Sequence, residues 1–252
     1  MDRPFQRTEH GDNGAPVPIE ARVASEQVRQ LYRQGVFVLL ANVVNAVIVT
    51  CALWQAVAHG LLLGWTAAIS LMAIVRWRLR HAYTASPRGP AETATWARRA
   101  VAGSCAAGVL WGVAGALFPT EGSLVAQLVV VFVLAGMGAS AAGTISCYLP
   151  AFYAYFLPSI LPLVVKLAAL GDASHLWLSA MAALFALLMS GVARNISRAI
   201  VASLRLRFEN QGLVHELAGA KRDLLQVNAD LERRVAERTV QIARQADDRA
   251  RL

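Results

Sequence analysis

The sequence predicts an all-α membrane protein, a six-transmembrane-helix bundle followed by a cytoplasmic coiled-coil helix, and three observations predict it. First, 56% of the 252 residues are hydrophobic and only 16% are charged, with a mean hydropathy of +0.46. A soluble domain carries about a quarter of its residues as charges. Second, the apolar residues gather into stretches of roughly 17 to 25, the length that crosses a hydrocarbon core as a helix. Backbone groups in lipid must be satisfied within their own segment, so these stretches read as helices rather than loops. Third, the pattern changes from Ser203 onward, where charged residues alternate with leucines in seven-residue steps.

Residues 1–30 form a polar cytoplasmic N-terminus, expected to be disordered to about residue 24 and containing Pro4, Pro16 and Pro18. Ala24 to Gln34 reads as a short amphipathic lead-in helix. No cleavable signal pattern is present, so the first hydrophobic helix is expected to act as an uncleaved insertion signal. Residues 31–198 hold the six spans: Gly35–Ala58, Gly60–Val75, Ala100–Phe118, Leu124–Ile145, Pro150–Leu170 and Ser174–Ala193. The second is short, and Arg76, Trp77 and Arg78 extend it by reaching to the interface.

Charge placement sets the expected orientation. Arg76, Arg78, Arg80, Arg88, Arg98 and Arg99 follow the second span, and Arg194, Arg198, Arg205 and Arg207 follow the sixth. The opposite loops contain Glu121 and Asp172 but no Lys or Arg. The positive-inside bias then places both termini in the cytoplasm, in a bacterial inner membrane. A formal charge of +8 without interleaved aromatics fits a membrane face rather than nucleic acid. Cys51, Cys105 and Cys147 are widely spaced, with neither a disulfide framework nor a zinc pattern.

Residues 199–252 read as a coiled coil. One core position holds Val214, Lys221, Asn228, Val235 and Ile242, and the other Leu217, Leu224, Leu231, Arg238 and Gln245. Leucines in step around a core Asn favour a parallel two-stranded homodimer, with Asn228 fixing the register. Lys221 and Arg238 weaken the seam. The plainer alternative is a single exposed amphipathic helix.

The polar residues inside the spans supply the candidate sites. Asn42 and Asn45 share one helical face, and Ser104, Ser140, Thr144 and Tyr153 fall at a similar depth. They form either interhelical hydrogen bonds or a polar pocket for a small ligand or lipid headgroup. His59 and His175, near Glu121 and Asp172 at the outer helix ends, are the candidate metal, haem or proton-sensing residues. Ordinary interface histidines are the plainer reading, and no cofactor is expected. Gly108 and Gly112 form a GxxxG pair that permits close helix contact. Pro158 and Pro162 each remove a hydrogen bond from the fifth span, freeing the carbonyls of Ala154 and Pro158.

The run LRLRFENQGLVHELAGAKRDLLQVNADLERRVAERT, from Leu204 to Thr239, resembles the signalling helix that precedes output modules in bacterial receptors. Upstream, LLANVVNAVIVTCALW, WARRAVAGSCAAGVLWGVAGALFP and VFVLAGMGASAAGTISCYLPAFYAYFLPSILPL resemble the multi-helix membrane-associated sensor (MASE-type) input domains of such proteins. The resemblance implies signal input passed to the seam of Leu217, Leu224, Asn228 and Leu231, and a movable kink at Pro158 and Pro162, expected from their missing hydrogen bonds, would suit that relay. It also implies a downstream histidine kinase of a two-component system or a GGDEF diguanylate cyclase. No Walker loop or GGDEF motif occurs in the sequence, and Ala218-Gly219-Ala220 after His215-Glu216-Leu217 departs from a kinase phosphoacceptor box. A small-solute transporter or membrane redox or haem carrier is the alternative; the absence of intramembrane charge other than Lys166, near the outer end of its span, and of an internal repeat weighs against it.

Overall fold

In a computed structural model, the described residues are 18–33, 36–85, 92–118 and 124–250. They form seven helices and no strand: α1 (Ile19–Arg33), α2 (Val36–Ala52), α3 (His59–Thr84), α4 (Thr93–Leu117), α5 (Leu124–Thr144), α6 (Leu149–Leu170) and α7 (Ala173–Ala250). Five helices are long and apolar enough to cross a membrane by themselves. The number reaches six when α1 and α2, bent by 47° where they meet, are taken together.

Several boundaries differ from those expected. The lead-in helix begins at Ile19, within the stretch expected to be disordered, because its apolar face is buried at Val23, Val28 and Tyr32. The first span ends at Ala52 rather than Ala58; Leu53 to Val57 close a turn held by backbone bonds such as Val57 N–H to the Leu53 carbonyl at 3.0 Å. The second, which Arg76, Trp77 and Arg78 are expected to extend beyond Val75, runs further, to Thr84, since arginine is a good helix former. The helix that begins with the sixth span runs on to Ala250 as α7. Gln34, Gly35, Glu121 and the loop arginine Arg88 lie outside the described residues.

The chain divides into two units, residues 1–203 and residues 204–252. In the first, α4 and α6 are the most closely packed pair. A Cβ built on Gly108 would lie 2.2 Å from the Tyr155 carbonyl oxygen, and one on Gly112 2.0 Å from that of Pro158. Only glycine permits this approach. Pro162 has no N–H to donate to the Pro158 carbonyl, and it is this oxygen that lies against Gly112. The two prolines therefore sit within one continuous α6 and serve the α4–α6 seam. Tyr148 in extended conformation precedes α6, Pro150 occupies its first turn, and Gly171 at φ +78° ends it.

Around this seam lies a single apolar core including Trp65, Trp111, Phe118, Phe152, Phe156 and Leu163. Trp65 donates to the Leu110 carbonyl at 2.7 Å and meets Trp111 edge-on at 5.1 Å, tying α3 to α4. Thr50 and Thr66 share a hydrogen bond across the α2–α3 hairpin. Phe185, on the first part of α7, joins Phe156 at 6.4 Å.

A second cluster of Val28, Tyr32, Trp96 and Ala97 docks α1 on this unit. Tyr32 stacks on Tyr83 at 4.3 Å and donates to the Trp96 carbonyl at 3.0 Å. Gln27 donates to the Cys147 carbonyl at 2.7 Å, just before α6.

In the second unit, residues 204–250 are helical. The heptad leucines Leu217, Leu224 and Leu231 are 72%, 70% and 54% exposed. Asn228 donates to Glu232 one turn on, at 3.3 Å. Ile242 and Gln245, which continue the two core positions, carry side chains outside the described set.

Candidate functional site

The polar residues expected to form one inner pocket are not gathered into one. Asn42 donates to the Val38 carbonyl at 2.7 Å, and its oxygen accepts from Trp111 Nε1 at 3.0 Å, joining α2 to α4. Asn45 points to α5, where its amide donates to Met137 Sδ at 3.1 Å. Ser140 is exposed, and Thr144 donates back to its carbonyl at 2.8 Å on the same helix. Tyr153 accepts a hydrogen bond from Arg194 Nε at 2.8 Å, between α6 and α7. A common depth placed these residues together in the sequence; helix rotation separates them. Ser104 lines a pocket among α1, α2, α3 and α4.

That pocket is cationic, and its charges are residues whose sequence positions suggested only orientation. It occupies about 70 Å³ among α1, α2, α3 and α4, lined by Tyr32, Leu39, Arg76, Arg80, Arg99 and Ser104 among others. Arg76 and Arg80 are four residues apart, so they share one face of α3. Arg99 joins them from α4 and lies over the Trp96 ring at 4.6 Å. Gly103 also lines the pocket beside the Arg76 stem, where a Cβ would sit at an ordinary contact distance of 3.9 Å from Arg76 Cγ. Among the described residues, no carboxylate pairs with the guanidinium of Arg76 or Arg80. Tyr155, whose hydroxyl is buried without a hydrogen-bond partner, lies within electrostatic reach of Arg76. The i, i+4 arginine pair followed by a third arginine at the next helix start is the signal that marks the pocket in the sequence.

The two candidate histidines have separate surroundings. His59 stacks on Trp54 at 4.1 Å, with Nε2 3.0 Å from the Trp54 carbonyl. His175 binds Asp172 through Nδ1 and Gln127 Oε1 through Nε2, the latter at 3.0 Å. The hydrogen bond from His175 holds the Asp172 carboxyl below its ordinary value. No group of three or more His, Cys, Asp or Glu residues among those described is placed to hold a metal ion. Pro158 and Pro162 lie at the α4–α6 contact, and Leu217, Leu224, Asn228 and Leu231 on the helix of the second unit.

Fold and site together define a helical multi-pass membrane protein with a charged pocket between its helices. No protein-family model, curated protein or solved structure matches the chain.

Proposed function

We propose that the protein is a membrane signal-input module of the MASE type. Its bundle responds to a small-molecule, lipid or membrane cue, and a dimeric coiled coil relays the change to a histidine kinase or diguanylate cyclase. One observation carries this reading: Leu217, Leu224 and Leu231 repeat every seven residues on a helix where all three are exposed. A stripe of this kind gains stability by packing against a second copy in register. α7 contributes residues to the membrane unit and to this heptad segment alike, so one helix belongs to both. Lys221 and Arg238 hold the seam near the balance point, and a membrane that confines two copies raises their effective concentration. The cue shifts output only if it binds two arrangements of the bundle unequally. The arginine bias supports an inner-membrane protein with both ends in the cytoplasm.

Disulfide trapping tests the reading in membranes, with Cys51, Cys105 and Cys147 replaced by serine. Cysteines at Leu224 or Leu231 are expected to crosslink two copies, whereas cysteines at Asp223 or Asp230 are not. Equal crosslinking at all four positions, or at none, removes the relay. A cysteine at Asp172 reads orientation: labelling by an impermeant reagent from the cytoplasmic side only would reverse the topology.

A further inference from the structure

We propose that the pocket of Arg76, Arg80 and Arg99 is a binding site for a phosphoryl group, either on a lipid head or on a soluble phosphate compound. This deepens the input reading by giving the bundle a ligand class. The sequence spends three cations on one cavity. Like charges four residues apart on a helix oppose each other, and no carboxylate among the described residues compensates Arg76 or Arg80. An arrangement of this kind is stabilised by an anion that enters from outside.

The geometry selects the anion. A guanidinium presents a planar fork of donors that matches phosphate and carboxylate oxygens in pairs. One carboxylate satisfies one fork and leaves the other cations uncompensated. A phosphoryl group offers several oxygens around one centre and up to two negative charges, so arginines from two helices can share it. The buried Ser104 adds a hydroxyl to the wall. Tyr32 already donates to the Trp96 carbonyl, so its phenol shapes the cavity instead of binding the anion. About 70 Å³ is space for several waters or one phosphoryl group, given roughly 10–15 Å³ per water on this measure.

Position supports the same ligand. The arginines lie at the end of α3 and the start of α4, where basic pockets between transmembrane helices meet phospholipid headgroups. The wall also includes Leu39, so charge and apolar surface adjoin, as the two parts of a lipid require. α1 forms one side through Tyr32, so occupancy of the pocket couples directly to the docking of this helix.

The test uses the full chain, delipidated in a neutral detergent without phosphate. Unfolding temperature and tryptophan fluorescence are followed against inorganic phosphate, dihexanoyl phosphatidic acid and zwitterionic dihexanoyl phosphatidylcholine. Chloride at matched ionic strength serves as the salt control. Saturable stabilisation by phosphate or phosphatidic acid is expected, weakened about tenfold or more in Arg80→Gln and Arg99→Gln. Arg78→Gln and Arg98→Gln, outside the pocket lining, should bind as the parent does. Response to phosphatidic acid alone assigns the site to a lipid head, and response to inorganic phosphate assigns it to the phosphoryl group itself. Saturation by neither, equal binding of phosphatidylcholine, or equal loss in all four variants overturns the proposal. Arg76→Gln is left aside because it perturbs packing beside Tyr155, and circular dichroism checks that the four variants are folded. Binding is read on the bundle, so its failure leaves the Leu224 and Leu231 crosslinks unaffected, and their failure leaves the pocket intact.

Discussion

Leu163 on α6 and Leu224 on the helix of the second unit both belong to regular apolar repeats, yet the first is fully buried and the second 70% exposed. The difference lies in what completes each surface. Leu163 meets α4 at Gly115, where a Cβ would come within 3.1 Å of it, so one chain supplies both sides. Leu224 lies on a helix where no other segment of the described chain covers it, and under the proposed function a second copy supplies the other side of its seam. Leucine has the same hydrophobicity in both places. The bundle is specified by close steric fit and the heptad segment by periodicity, and the two should therefore fail in different ways.

The largest expected effect is on the fit. Gly112→Ala places a methyl against the Pro158 carbonyl, which is backbone and cannot swing aside. A loss of about 3 kcal/mol is expected, seen as a lower unfolding temperature in detergent. Gly136→Ala, where nothing lies within 4 Å, should change stability by less than about 0.5 kcal/mol. Similar losses at both positions would mean that the α4–α6 seam is not the tight one.

Leu224→Gln should do the reverse, weakening association of two copies about tenfold while leaving the unfolding temperature of the bundle in place. Analytical ultracentrifugation in density-matched detergent measures the first and tryptophan fluorescence the second. A bundle that melts earlier in this variant would join the two units energetically and erase the contrast.

A smaller effect is expected at Asn42, which accepts from Trp111. Asn42→Leu leaves that indole donor unpaired and should cost about 1 kcal/mol, with a shift in tryptophan emission. Val47→Leu on the same helix, at an exposed position, provides the control.

The smallest effect concerns Asp172, an exposed group whose carboxyl is held down by its hydrogen bond with His175. A depressed carboxylate adds stability that is present above its ordinary value of 3.8 and is lost as pH falls through the lower, folded value. Asp172→Asn should therefore flatten the acid limb of the unfolding-temperature profile below about pH 4. An unchanged acid limb would show that the pair contributes nothing measurable.

Much of the fold was legible because hydrophobic stretch length depends on composition alone. The spans from Leu124 and Pro150 are found within one residue at each end as α5 and α6. The misplacements occur where charge or packing overrides composition. Arg80 reads as part of the loop because hydropathy falls after the second span, which Arg76, Trp77 and Arg78 are expected to extend; the helix runs on to Thr84 and carries Arg76 and Arg80 to the pocket. Ile19 to Val23 looked unstructured by polarity, yet the face that docks on Trp96 and Ala97 stabilises a helix. For the candidate site, depth could be read and rotation could not. Asn42 and Asn45 lie on one face yet bond to different helices, α4 and α5.

The sequence by itself determined that the chain is helical, that long apolar helices dominate it, and that leucines recur in sevens from Leu217 to Leu231. Those properties follow from local covalent periodicity and from the transfer of side chains out of water, which need no knowledge of neighbours. Tertiary structure alone decided that Gly108 and Gly112 face the backbone of α6, that Pro162 frees the carbonyl which Gly112 meets, and that arginines from two helices surround one cavity. Each of these depends on how one helix is rotated against another. That rotation is set by steric fit summed over many weak contacts, a quantity no single segment contains.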